Sequence, residues 1–295
     1  FPIINQKGKG MENIQVKNFL TLNVIISLIF LASNSVLCKL AFLNNGIDPF
    51  SFTAIRLLSG ALILLFLLHY KKSSKTAQKG SLFLGFLLFL YAICFSYSYV
   101  LIDTGVGALI LFGMVQITMI SYALVKKTVT LFKLIGTFIA FIGLAILAVP
   151  SHDNPISVEG FLLMAMAGIA WGIYSIVGKN IQNPLQTTAS NFFYSVVFIA
   201  VFAFFIPLEI HINPSGFWFA FLSGAVTSGL GYVLWYSVVR KIETSTASII
   251  QLLVPVLSAI GGVIFLQEQL SFQLILATIT LLSGIAISTF KGNKV

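Results

Sequence analysis

The sequence predicts an all-α integral membrane protein with ten transmembrane helices in two inverted five-helix repeats. Composition comes first: A, V, I, L, M, F, W, Y and C make up 58% of the chain and charged residues 8%, where a soluble domain carries about 25% charged residues. The apolar residues fall in blocks of about twenty, the length a helix needs to cross a ~30 Å hydrocarbon core. Two long stretches also match each other at a constant offset. A barrel would show ~10-residue alternating segments, and "GALILLFLL" does not alternate.

In chain order, residues 1–18 read as a cytoplasmic tail. "MENIQVKN" from Met11 looks like a natural start, with residues 1–10 an extension ahead of it. The first apolar block reads as a retained span, not a cleaved leader. Spans are expected near 19–38, 50–68, 81–101, 105–125, 131–149, 157–178, 187–207, 215–239, 244–266 and 271–290, with a short tail at 291–295. The connections carry turn residues, as in "NNGIDP", "DTG", "PSHDNP" and "HINPSG". With both termini inside, one side collects Lys17, Lys71, Lys72, Lys75, Lys79, Lys126, Lys127, Lys133, Lys179, Arg240, Lys241, Lys291 and Lys294. The other side collects Asp48, Asp103, Asp153, Glu159, Glu209 and Glu268. This Lys/Arg asymmetry is the positive-inside pattern, so the net charge of +9 points to cytoplasmic loops and not to nucleic acid.

The repeat shows in "LASNSVLCK" (31–39) over "WGIYSIVGK" (171–179), and in the stretch from Asp103 over the stretch from Glu243, both at an offset of 140. "DPFSFTAIR" (48–56) lies over "NPLQTTASN" (183–191) at an offset of 135. Five spans per half is an odd number, so the second half enters the membrane inverted. Transporters are often built this way, with the substrate site at midplane between the halves.

"SNSVLCK" closing the first span, "DPFSFTAIRLLSG" opening the second, "GIAWGIYSIVGK", "PVLSAIGGVIFLQEQLS" and "LLSGIAIS" together resemble the EamA-type carriers of the drug/metabolite transporter superfamily. The resemblance covers residues 19 to 290, with EamA-like repeats at 19–149 and 157–290. Val115 and Thr128 stand where the second half has Pro255 and Glu268, so the Pro and Glu signals occur in one copy only. The resemblance implies a secondary transporter in the bacterial inner membrane, a monomer or weak homo-oligomer. It would move small organic metabolites, amino acids or related compounds and drugs among them, outward by alternating access.

Polar residues inside the spans are the site candidates, because a polar face in lipid must turn toward protein or water. Leu31, Asn34, Ser35 and Cys38 share one helical face, and Trp171, Tyr174, Ser175 and Gly178 repeat it. For Asn34 and Tyr174 a cavity wall and interhelical hydrogen bonding both fit. Thr244, Ser248, Gln251, Pro255, Ser258 and Gly262 make a second stripe. There Pro255 is a candidate hinge, because it frees a carbonyl and bends the helix, and Gln251 and its counterpart Gln116 are candidate cavity amides. Tyr91, Tyr97, Tyr232 and Trp235 offer faces to a planar or cationic solute, with interface or core packing as the alternative. Arg56 is the one arginine inside a span; its guanidinium needs a substrate carboxylate, a carbonyl or a helix end. The substrate-binding set is thus Asn34, Arg56, Tyr91, Gln116, Trp171, Tyr174, Trp235 and Gln251.

His69, His152 and His211 lie at or beyond span ends, and no Asp or Glu sits in mid-span. The pattern therefore offers no intramembrane metal site, no carboxylate pair for acid–base chemistry and no cofactor motif. The expected partners are a small-molecule substrate and the lipid bilayer. A passive channel or an integral membrane enzyme is the alternative class.

Overall fold

The computed structural model describes residues 3–70, 80–126, 130–148, 156–178, 181, 183–205, 207, 209–239, 241, 251, 253–288 and 290, and side chains from Thr21 onward except at 123, 147, 148 and 285. Lys71, Lys72, Lys75, Lys79, Lys127, Thr128, His152, Asp153, Lys179, Arg240, Thr244, Ser248, Lys291 and Lys294 lie outside the described residues.

The described chain is helical: α1 (Ile3–Phe42), α2 (Pro49–Tyr70), α3 (Leu82–Leu101), α4 (Thr104–Val125), α5 (Leu131–Ala148), α6 (Val158–Gly178) and α7 (Pro184–Phe202). A composite rod follows, made of α8 (Pro214–Leu222), a π-helix (Ser223–Leu230) and α9 (Gly231–Val239), then α10 (Leu253–Leu266) and α11 (Phe272–Ser288). Seven of these rods are long and apolar enough to cross a membrane; α5, α10 and α11 are shorter and equally apolar. The chain is a multi-pass membrane protein. α1 continues to Phe42, past the expected end at residue 38, so Lys39 lies in its last turn, half-buried.

Local chemistry explains where the rods begin. The side chains of Asp48, Ser81, Ser157, Asn183 and Ser271 accept from the backbone N–H groups of Ser51, Leu84, Gly160, Gln186 and Leu274, each satisfying an orphan donor of a first turn. Pro49 and Pro184 open α2 and α7, where a missing N–H is no loss. At α4, Asp103 makes no such bond with its own side chain. The Glu268 carboxylate reaches over instead, accepting from Thr104 N at 2.9 Å and from the Thr104 hydroxyl at 2.7 Å.

α1 packs on α8, the π-helix, α9 and α10; α3 packs on α6 and α7; α2 packs on α7 and the π-helix; α4 packs on α6 and α10. α5 and α11 pair with each other, and Gly136 and Gly284 let their backbones meet: a Cβ on Gly284 would strike Gly136 O and Ala140 N. The outward faces keep large apolar residues such as Phe66, Phe138 and Phe204, as a surface solvated by lipid requires. The loop after α1 and the loop before α8 are joined by an isolated antiparallel bridge, Ile47 to Ile212. Asp48 N donates there to His211 O at 2.9 Å and Asn213 N to Gly46 O at 2.7 Å.

Candidate functional site

Arg56 occupies the crossing of α2, α3 and the composite rod. It is 1% exposed. Its Nε donates to Ser228 Oγ at 3.0 Å, and its Nη2 donates to the hydroxyls of Tyr91 and Tyr232, both at 3.1 Å. The guanidinium lies over the rings of Phe95, 4.7 Å to the centroid, and Tyr91, 5.3 Å. Each of these partners is neutral. Nη1 is buried without a hydrogen-bond partner among the described residues. A buried charge held only by neutral dipoles is costly to keep, and functional sites are where such groups persist.

The π-helix explains how the site is built. Its wider turn places the hydroxyls of Ser223, Thr227 and Ser228 around one atom, Asn34 Oδ1, at 3.0, 2.6 and 3.0 Å. Ser228 thus donates to Asn34 while accepting from Arg56. Close approach makes this possible. A Cβ on Gly224 would collide with Ser59 Oγ and the Arg56 carbonyl oxygen, so only glycine lets α2 lie against the π-helix here. Single π turns recur at functional sites.

Around Arg56 stands an aromatic wall. Trp171 contacts Tyr91 (centroids 5.0 Å), Tyr232 (4.7 Å) and Tyr174, on which it stacks at 5.4 Å and 16°. Tyr174 in turn meets Tyr236 at 6.1 Å. The Tyr174 hydroxyl accepts from Asn191 Nδ2 at 3.0 Å, and Asn191 Oδ1 accepts from Ser81 N at 3.2 Å. Beside the site, an apolar groove of about 460 Å³ between α1, α8, the π-helix and α10 is lined by Phe30, Val36, Leu222, Thr227, Leu257 and Phe265. It reaches the Asn34 cluster at Thr227.

Matching against known families decides what kind of protein carries this arrangement. The EamA-like transporter family matches residues 19–149 and again 158–290. The chain belongs to the EamA-like transporter family. An uncharacterized protein of Pseudomonas aeruginosa is 39% identical over 264 residues, 89% of this chain and 92% of that one. The uncharacterized transporter YoaV of Bacillus subtilis is 25% identical over 85% of this chain and 90% of its own length. The S-adenosylmethionine uptake transporter of Rickettsia prowazekii is 22% identical, covering 80% of this chain and 81% of its own. A solved crystal structure superposes with a TM-score of 0.66 at 16% identity over 92% of this chain and 97% of that one, which speaks to fold.

Within this EamA-family transporter, four of the expected site residues meet at one place. Asn34, Arg56, Tyr91 and Trp171 form a connected network, and Tyr174 joins it through Trp171. Trp235 is buried in α9 and, among the described residues, makes no ring contact with the wall. Gln116 in α4 and Gln251 ahead of α10 are buried. Pro255 is buried in α10, four residues after the helical Gln251, where an N–H would have met the Gln251 carbonyl. Cys38 and Cys94 are buried free thiols. Residues the sequence did not single out are Ser223, Thr227, Ser228 and Asn191. The signal for three of them was "SGAVTSGL", a run of small and hydroxyl residues inside an apolar span.

Proposed function

We propose that this EamA-family transporter is a secondary carrier exporting small organic metabolites by alternating access, with Arg56 and its aromatic wall as the central binding site. The observation that carries the reading is the Arg56 network itself. Arg56, Asn34 and Tyr91 come from the first 149 residues, and Ser228, Tyr232 and Trp171 from the second half. A solute bound there touches both halves, so their relative motion is what opens it to either side.

Two inverted repeats, 19–149 and 157–290, fit the neighbour pattern. Exchanging each span for its mate 140 or 135 positions away carries the most extensive helix pairs onto one another. α2 on α7 and α5 on α11 are mates touching mates. α3 on α6 answers to the composite rod on α1, α4 on α6 to α10 on α1, and α3 on α7 to the π-helix on α2. Arg56 and Asn191 are mates in the alignment, both buried and each donating to a tyrosine hydroxyl. The carrier would sit in a bacterial inner membrane with tails 1–18 and 291–295 cytoplasmic. One chain holds every residue of the site, so a monomer or weak homo-oligomer is sufficient.

The test is counter-exchange in proteoliposomes. The carrier reading expects saturable flux that trans solute stimulates and that Arg56→Met and Trp171→Ala abolish at normal incorporation. Flux linear in solute concentration would mean a channel, and chemical conversion of the solute an enzyme.

A further inference from the structure

We propose that the central site selects organic anions: solutes with a carboxylate or other planar oxyanion head, a planar apolar body and no charged amine. This rests on the central-site reading above and sharpens it to a substrate class.

The inference follows from which protons around Arg56 have acceptors. A guanidinium carries five N–H donors in a planar fork. Nε is spent on Ser228, and Nη2 on Tyr91 and Tyr232. Both donors of Nη1 are buried with no acceptor among the described residues. Tyr232 gives its proton to Tyr91 at 3.4 Å, which leaves the Tyr91 hydroxyl proton without an acceptor among the described residues. Asn34 Oδ1, linked to Arg56 through Ser228, already accepts from the hydroxyls of Ser223, Thr227 and Ser228. The site therefore has donors in surplus. Its charge is equally one-sided: the eight Asp and Glu residues of the chain all lie at span ends or in tails, so no carboxylate in mid-span answers Arg56.

A carboxylate corrects both imbalances. Its two oxygens match the guanidinium fork, and they accept from tyrosine hydroxyls that rotate from accepting to donating. An ammonium worsens both. It brings three more donors and a second positive charge into a buried space. The ring faces of Phe95 and Tyr91 that would receive a cation already lie against Arg56. Trp171 and Tyr174, stacked on each other, present an apolar aromatic wall for the body of such a solute.

The experiment uses the full chain purified in detergent and follows thermal unfolding against four probes of one shape: 3-phenylpropionate, its primary amide, L-phenylalanine and phenethylamine. The expected result is stabilisation by the acid at concentrations about tenfold or more below the amide, since charged hydrogen bonds are roughly twice as strong as neutral ones. Phenylalanine should be weaker than the acid, and phenethylamine inactive. Arg56→Met should level the acid with the amide, and Arg56→Lys should keep part of the acid's advantage. If phenethylamine or phenylalanine stabilises as well as the acid, or if no acid effect appears, anion selection is wrong. In that case Trp171→Ala separates the two readings: a probe response lost in Trp171→Ala leaves the central site standing. Responses indifferent to both Arg56 and Trp171 remove the site as well.

Discussion

Arg56 Nε meets Ser228 Oγ at 3.0 Å, and through that single hydroxyl the guanidinium on α2 is tied to Asn34 on α1. The bond spans 172 positions of sequence and joins the two halves of the chain. Fixing Nε against Ser228 leaves Nη2 aimed at Tyr91 and Tyr232, and Nη1 without a partner among the described residues. The charge is thus oriented without being neutralised.

That arrangement separates function from stability. Taking a charge out of water costs several kcal/mol unless a partner repays it, and buried ion pairs are often replaced by apolar residues without loss of stability. Arg56→Met is expected to abolish transport while the thermal midpoint stays level or rises. Arg56→Lys keeps the charge but cannot serve Ser228 and both tyrosines at once, and transport should fall by about tenfold or more. Unfolding followed in detergent alongside vesicle flux checks both. A large drop in the midpoint of Arg56→Met would mark Arg56 as a structural anchor.

Asn34 should behave in the opposite way. Its Oδ1 is the common acceptor for three hydroxyls of the π-helix, so Asn34→Ala leaves buried donors unsatisfied. A loss of about 1–3 kcal/mol is expected, read as a lower unfolding midpoint and lower membrane abundance. An unchanged midpoint would mean that the hydroxyls find their own helix carbonyls, as Thr227 already does with Ser223 O at 3.0 Å.

These two residues also show what was legible in the sequence. Asn34 was marked by its place on an i, i+3, i+4, i+7 face, and Arg56 by being a lone charge in a span, since lipid makes such residues conspicuous. For Asn34 the two sequence readings were cavity wall and interhelical bonding, and the geometry adds the bonding without removing the other. The partners were not legible. A π-helix leaves no periodic trace in "SGAVTSGL", and nothing local says that Ser228 lies beside Arg56. Trp235 shows the same limit: aromatic content in "GYVLWY" was visible, and the ring contacts with the wall come from Tyr232 and Tyr236, while Trp235 is buried in α9. Lipid and core both accept a tryptophan, so the pattern does not choose.

Gly224 tests the close approach of α2 to the π-helix. Gly224→Ala must push α2 away, because the atoms in its path include the Arg56 backbone carbonyl. Both abundance and transport should fall. Gly231→Ala is the milder comparison: there the nearest atom to a Cβ is Phe30 Cβ at 3.1 Å, against the direct collision with backbone at Gly224. Equal effects from the two substitutions would argue against a site shaped by this contact.

Sidedness follows from the charge asymmetry. A reporter fused after Lys75 should read cytoplasmic, and one fused after Asp153 should read on the opposite face. Both on one side would remove the odd number of spans per half, and with it the inverted repeat.

Coupling is the final point, and Glu268 decides it. Its carboxylate holds the first turn of α4, accepting from the Thr104 N–H and hydroxyl together. A negative group at a helix N-terminus is stabilising, and losing it costs about 1 kcal/mol. Such a carboxylate is committed to joining α4 to the turn between α10 and α11; shuttling a proton would release that helix end in every cycle. The polar groups deeper in the site are hydroxyls, amides and a guanidinium, and a guanidinium stays charged throughout. Transport is therefore expected to run as facilitated flux or exchange. In vesicles with an imposed pH gradient and equal solute on both sides, no uphill accumulation should exceed that of protein-free liposomes. Glu268→Gln should lower the unfolding midpoint and leave exchange intact. Accumulation driven by the gradient and lost in Glu268→Gln or Asp103→Asn would show instead that an end-of-span carboxylate carries the proton, and that the cap on α4 opens during transport.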